Sequence, residues 1–276
     1  MSRIVSVNLA VPEPNPAKGV GVTGINKRPV DHLVAVRAPG PKTTGLHSGL
    51  VGDQIFDIEH HGGDDQAVYA YAREDYDWWQ ARLSRRLANG LFGENLTTEG
   101  VDVNGAVIGE RWRIGPRLVL QPTFGRIPCV TFQRKMGEPR WVKTFARSNR
   151  PGAYLRVLEP GEVWAGDPVT VEDRPAHGVT IAQAFRAYMT EPQLLPELVE
   201  IDGLPDDLRE TLAERLVQRR QLVITAGGWQ RERSAWISKH RRCTRDYETK
   251  PDHHEAMIYI AMIMNMSRRL ARTGNS

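Results

Sequence analysis

The sequence predicts an α+β fold in which a strand-rich, barrel-like domain is followed by a helical C-terminal appendage. Three observations carry that expectation. Short apolar runs of strand length recur at close spacing through residues 1–175, many of them bounded by Gly- or Pro-rich turns. Few stretches in that region keep the three- and four-residue apolar spacing of a helix, and from Thr180 onward that spacing takes over.

Residues 3–9 (RIVSVNL) alternate as a first strand, and the Pro- and Gly-rich VPEPNPAKGVGVTG after it reads as a long loop with no regular element. The cations Lys27 and Arg28 precede a second strand at 33–36; they either meet an anion or lie exposed. Residues 38–66 are dense in Gly, Pro and Asp and end in His60-His61-Gly62-Gly63-Asp64-Asp65-Gln66, a ligand-facing loop, because paired glycines let backbone amides approach closely. A buried strand at 67–72 leads into a helix at 73–90, whose Tyr76, Trp79, Leu83 and Leu87 form a core stripe with Gly90 as its stop. In LFGENLTTEG, Glu94 and Asn95 either cap the next strand or face a cofactor. Two strands joined by a Gly-Pro turn fill 107–123, a short helix with Trp141 and Phe145 on one face occupies 139–147, and strands are expected at 153–158, around Val163 and at 169–171. Helical patterns then follow in TIAQAFRAYM, EPQLLPELVE and PDDLRETLAERLVQRR. The domain organisation expected is a barrel-like domain at 1–175, a helical extension at 176–220 and a basic helical tail at 221–276.

With 276 residues, 40% of them hydrophobic, the chain can bury a sizeable core. No stretch approaches the ~20 apolar residues of a membrane span, and the first residues lack the pattern of a secretory leader, so a soluble cytoplasmic protein without membrane attachment is expected. Two cysteines, Cys129 and Cys243, are too few for a disulfide scaffold and lie in dissimilar contexts, so reduced thiols are expected. The net charge of +4 suggests nucleic acid until its distribution is read. Residues 228–276 hold 10 Lys and Arg against 5 Asp and Glu, while residues 1–227 hold 27 against 28. The basicity belongs to the tail, where a solvated helix is the ordinary reading, and nucleic-acid binding ranks last among the functions considered.

The stretch Gly125-Arg126-Ile127-Pro128-Cys129-Val130 carries the chemistry. A cysteine acts as ligand or nucleophile only as a thiolate, and Arg126 is the right neighbour to favour one, while Pro128 stiffens the approach. A soft thiolate suits molybdenum or copper better than magnesium, and without a CxxC partner a structural zinc site is not expected. Taken alone, a lone cysteine is more often a small buried apolar residue.

The chain resembles the MOSC-domain family, the C-terminal domain of molybdenum cofactor sulfurases, and within it the YiiM-like branch. The resemblance rests on Thr23-Gly24-Ile25, Lys27-Arg28-Pro29-Val30, Gly49 to Asp53, His61 to Val68, Gly93-Glu94-Asn95-Leu96, Ile108-Gly109-Glu110 and Arg126 to Cys129, in family order over residues 1–220. It implies a barrel-like fold with following helices, and a pterin-bound molybdenum cofactor whose metal Cys129 would ligate. Lys27, Arg28, Arg126 and the amides around Gly62 and Gly63 would hold its phosphate and pterin, with Gln66, Glu94 and Asn95 shaping the pocket; His61 and Asp65 would join Cys129 as catalytic residues. The implied activity is reduction of N-hydroxylated compounds such as 6-N-hydroxylaminopurine, with electrons from a separate reductase. A cofactor or sulfur carrier using Cys129 without substrate turnover is the alternative. The family's run is Pro-Arg-x-Pro-Cys, whereas here Gly125 precedes Arg126, which leads one to expect a loosely placed arginine. The pyridoxal-phosphate domain of the eukaryotic sulfurases has no counterpart.

Residues 227–274 instead resemble the C-terminal end of an insertion-sequence DDE transposase, with Glu232 in the position of its third metal-binding carboxylate. One carboxylate cannot build a two-metal site, so this tail is expected to be vestigial and inactive.

Overall fold

In a computed structural model, residues 1–218 are described. The tail for which a transposase resemblance is expected, and Cys243 with it, lie outside them. The expected class holds: a strand-rich sheet, several helices and a barrel-like curl.

Among the described residues twelve strands occur, β1 (Arg3–Ala10), β2 (Glu13–Asn15), β3 (Gly21–Thr23), β4 (Lys27–Val30), β5 (Val34–Val36), β6 (Val68–Ala72), β7 (Leu96–Glu99), β8 (Arg111–Ile114), β9 (Leu118–Phe124), β10 (Ala153–Glu159), β11 (Gly161–Val163) and β12 (Val169–Asp173). Eight form one sheet in the order β12-β8-β9-β10-β6-β7-β1-β4, antiparallel except for the β6–β7 pair. Strand β1 is shared between two neighbours on its outer edge. Its second half pairs with β4, from Val7 opposite Val30 to Ala10 opposite Lys27. Its first half meets the segment leading into β12: the Ile4 amide donates to the Asp167 carbonyl at 2.9 Å, and the Val169 amide to the Ser2 carbonyl at 3.0 Å. A shift of register between Ile4 and Ser6 accompanies this split. The sheet therefore returns on itself, which removes most of its free edge.

All of β6 is buried, and its alternation shows why. Val68, Ala70 and Ala72 point into the barrel with Ile4, Leu96, Leu120 and Leu155. Tyr69 and Tyr71 point the other way, into an aromatic cluster with Tyr76, Trp79, Phe92, Phe132, Trp141, Phe145 and Phe185. Three helices supply most of that cluster, α1 (Arg73–Leu83), α2 (Val130–Met136) and α3 (Trp141–Ser148), with Phe92 from the loop after α1 and Phe185 from a later helix. Phe92 sits at its centre, with six aromatic rings at 4.7 to 6.3 Å. The parallel β6–β7 pair follows from the excursion through α1, which carries the chain back to start β7 in the same direction.

Several local expectations are corrected. Helix α1 stops at Leu83, where Ser84 adopts a left-handed conformation with φ 50°, so Leu87 and Gly90 belong to the loop beyond it. The Pro- and Gly-rich 11–24 stretch is not wholly a loop: β2 and β3 form a two-stranded hairpin of their own. Such a ribbon tolerates proline because its outer edge lacks a ladder to break. Helix α2, directly after Cys129, has no counterpart in the expected elements; it buries Thr131, Phe132 and Met136. Of the three helical patterns after Thr180, the first is helix α4 (Ile181–Met189), closed by a capping box between Thr180 and Gln183, and the third is helical over 206–218. The second is a 3-10 turn, Pro192–Glu197, with Pro196 inside it. Among the described residues no helix is long and apolar enough to cross a membrane.

Truncating Phe92 to alanine removes the ring on which the others converge, and unfolding in urea should show a loss of roughly 3–5 kcal/mol. A loss under 1 kcal/mol would mean the cluster does not hold the helices to the sheet.

Candidate functional site

One cleft gathers most of the sequence-expected residues. It encloses about 730 Å³, part of it open to solvent, between the β2–β3 hairpin, the 54–62 loop, the β6–β10 edge and the turn that ends in Cys129. Lys27, His61, Gly62, Gln66, Asn95, Arg126 and Cys129 all line it. So do several residues that the sequence reading did not single out, among them Asn15, Asp57, Tyr69, Thr131 and Tyr154.

Cys129 is a free, partly exposed thiol in extended backbone (φ −129°, ψ 174°) immediately before α2. Its inner side packs on the aromatic cluster. Arg126 is buried, and its Nη1 donates to the Phe92 carbonyl. Its guanidinium stacks over Phe132 at 4.2 Å and lies 5.5 Å from the Tyr69 ring centre. Burial would lower its pKa, but Tyr154, Tyr69 and the Cys129 sulfur more than compensate, so the charge is retained. The expected loosening by Gly125 does not occur. A Cβ there would stand 2.8 Å from Cβ and Cγ of Pro151, so the glycine is present for close packing, and Arg126 is held by its contacts.

The two cations of β4 part company. Successive side chains on a strand face opposite ways, so Lys27 turns inward and Arg28 outward to solvent, away from the cleft. Lys27 is not a free cation either. Its ammonium is 2.5 Å from Asp53 Oδ2, and the Lys27 and Asp53 side chains are 8% and 0% exposed. Asp53 also accepts from the Ala10 amide at 2.9 Å, Ser48 Oγ at 2.7 Å and Asn95 Nδ2 at 2.9 Å. Burial alone would raise its pKa, yet Lys27, Ser48 and Asn95 hold it below the ordinary value. Asp53 lies in the Gly49-to-Asp53 block, which carries no site assignment; a carboxylate three residues after an apolar leucine is the signal that was available.

Asp65 and Glu94 are corrected as well. Asp65 does not line the cleft; its carboxylate accepts from Arg156 Nε at 2.7 Å, in an ion pair with that guanidinium. Glu94 is fully buried and takes the capping alternative: Tyr76 donates to it at 2.7 Å, the Gly90 amide at 2.5 Å and Thr97 at 2.8 Å. Burial, the largest influence, leaves its pKa raised despite those donors. Asn95 lines the cleft but spends its side chain on the protein, accepting from the Tyr69 amide at 3.1 Å and donating to Asp53.

The glycine pair serves packing. Gly62 and Gly63 both have positive φ (86° and 81°), and a Cβ at Gly62 would meet the His47 carbonyl oxygen at 2.7 Å. The Gly63 amide donates to that same carbonyl at 3.0 Å, so it is not free for a phosphate. His61, beside them, has its pKa lowered to about 4, first by burial and then by the Arg126 charge. It is a neutral imidazole at neutral pH.

Two buried atoms of the cleft wall, Gln66 Oε1 and Arg126 Nε, have no hydrogen-bond partner among the described residues. Polar atoms so buried are normally satisfied. One accepts and the other donates, so together they fit a ligand that carries both donors and acceptors, as a pterin does.

A family model described as MOSC domain matches residues 57–170. The uncharacterized protein YflK of Bacillus subtilis (strain 168) is 34% identical over 184 residues, 66% of this chain and 79% of that one. A protein named Reductase from Gibberella moniliformis is 28% identical over 161 residues, 57% of this chain but only 28% of that one. Among solved structures, YiiM from Geobacillus stearothermophilus superposes with a TM-score of 0.63 at 27% identity, covering 78% of this chain and 100% of that one.

Two measurements check this geometry. Replacing Asp53 by alanine leaves a buried ammonium uncompensated and should cost roughly 3 kcal/mol in urea unfolding, whereas Lys27→Met should cost less, since three neutral donors still serve the carboxylate. Equal losses would contradict this. His61 should titrate at about 4 in the folded protein by NMR. Since its folded pKa lies below the unfolded one, its contribution to stability is complete above about pH 6.5 and is lost as pH falls toward 4. A folded pKa near 6.5 would refute the burial.

Proposed function

Because the chain belongs to the MOSC-domain family, we propose that its cleft holds a molybdenum cofactor on Cys129 and that the protein reduces N-hydroxylated compounds. The observation that carries the reading is the conjunction in one cleft of a free thiol, a buried arginine beside it, and the unpartnered pair Gln66 Oε1 and Arg126 Nε. Among the described residues no three His, Cys, Asp or Glu side chains cluster to hold a metal ion. Cys129 would be the one soft protein ligand to the cofactor's metal there, and the bound cofactor would supply the redox chemistry.

The residues divide the work as follows. Cys129 would supply the soft sulfur ligand, and the Arg126 guanidinium, fixed on the Phe92 carbonyl, would offset negative charge gathered there. Gln66 and Arg126 orient the pterin through an acceptor and a donor. Tyr154 lines the cleft within reach of the Arg126 and Cys129 charges, and burial, the largest influence, raises its pKa, so its hydroxyl keeps its proton and can donate it in a hydrogen bond. His61, neutral at physiological pH, adds no charge where a purine-like base would lie. When bound, the cofactor supplies the two-electron redox change. Overall an N-hydroxylated amine, two electrons and two protons give the amine and water, with the electrons from a separate reductase.

The name of the Gibberella relative supports the reductase class. The alternative is a carrier in which Cys129 holds sulfur as a persulfide. Metal analysis of the wild type beside Cys129→Ser tests the ligand assignment: the wild type should carry molybdenum close to stoichiometrically and the variant at most about a tenth as much. Equal contents would end the assignment. Reduction of 6-N-hydroxylaminopurine by the loaded wild type tests the activity, and a persulfide on Cys129 without turnover would favour the carrier.

A further inference from the structure

We infer that the β2–β3 hairpin is a strap across the cleft mouth, latched by Lys18 on Asp57, and that the latch must part before a bulky ligand reaches Cys129. This stands whichever group the cleft holds, since it concerns access alone.

The hairpin forms no ladder with the main sheet. Side chains along its first strand attach it to the Cys129 side of the cleft, from the base, where Lys135 reaches Glu13 at 3.3 Å and Asn26 at 2.8 Å, to the residue before the turn, where Asn15 Nδ2 donates to Thr131 Oγ1 at 3.1 Å. Its tip lies open. A Cβ at Gly19 or Gly21 would find nothing within 4 Å. From that tip Lys18 crosses to the opposite wall and pairs with Asp57 Oδ2, whose other oxygen is 2.9 Å from His60 Nδ1. Asn15, Val22 and Thr23 of the hairpin and Gln54, Ile55 and Asp57 of the facing loop line the same cleft as Cys129. The strap is thus held along its strands to one wall of the cleft, while its turn is held to the facing wall by one ion pair. That pair is partly exposed, 24% for Lys18 and 16% for Asp57, so it is strong enough to bias closure and weak enough to open. It differs in kind from the fully desolvated Lys27–Asp53 pair, which cannot exchange its partners for water.

The test uses the full chain with Cys243→Ser, made in cells unable to produce molybdenum cofactor, so that Cys129 is the one thiol and is free. Two maleimides with the same reactive group, N-methylmaleimide and N-(1-pyrenyl)maleimide, differ in bulk, and the ratio of their rates cancels the intrinsic nucleophilicity of the thiol. Lys18→Met and Asp57→Asn should each raise the pyrenyl-to-methyl ratio about fivefold. The swap Lys18→Asp with Asp57→Lys should bring it back. An unchanged ratio in both single variants, or an equal acceleration of both reagents, overturns the strap. Should either variant fold poorly, the unsubstituted pair decides: the ratio should climb between about 0.05 and 1 M NaCl as the pair is screened, and a flat response refutes the latch.

Discussion

The arrangement of the cleft depends on one buried carboxylate. Asp53 accepts from four donors that belong to four parts of the chain: the end of β1 at Ala10, β4 at Lys27, the loop at Ser48 and the β7 lead-in at Asn95. None of these segments reaches the others through local sequence. A desolvated charge tolerates no vacant donor position, because each missing partner leaves the desolvation uncompensated. The requirement is mutual, since the Lys27 side chain is only 8% exposed beside a carboxylate that is not exposed at all. Satisfying Asp53 thereby fixes how β1, β4 and the two loops meet, and the wall of the cleft is set by that meeting.

A second constraint acts from below. Strand β6 serves two cores at once, with small aliphatic residues inward and tyrosines outward. The outward face needs the helices α1 to α3 to cover it, and one of them begins directly after Cys129. The thiol is therefore placed by packing as much as by the stiffness of Pro128. Arg126 shows the same economy of placement, for the carbonyl it binds belongs to Phe92, the ring at the centre of the cluster.

The sequence was legible where a pattern is local and periodic. Apolar alternation marked β1, and the spacing of Tyr76 and Trp79 marked α1, because burial on one face imposes those periods. The cleft was legible as a set of blocks, since His61, Gln66, Arg126 and Cys129 do converge. What stayed hidden was how each polar side chain is partnered. Lys27 and Arg28 are equivalent as letters, yet strand geometry sends one to Asp53 and the other to solvent. Glu94 and Asp65 look like site carboxylates until Tyr76, Thr97 and Arg156 claim them across distances of 3 to 91 residues. Gly125 read as slack in the chain, and Pro151, remote in sequence, makes it a tight fit. Helix α2 is seven residues long, too short to repeat its own signal.

The hydrogen bond from Arg126 to the Phe92 carbonyl joins two properties that evolution usually tunes apart. Core positions in most folds drift freely as long as volume is conserved, because conservative repacking leaves distant surfaces alone. Here a backbone shift of a few tenths of an ångström in the cluster would travel to the guanidinium beside the thiol with nothing flexible between them. Repacking around Phe92 would therefore reach the charge that faces the ligand even where it left the stability of the fold little changed.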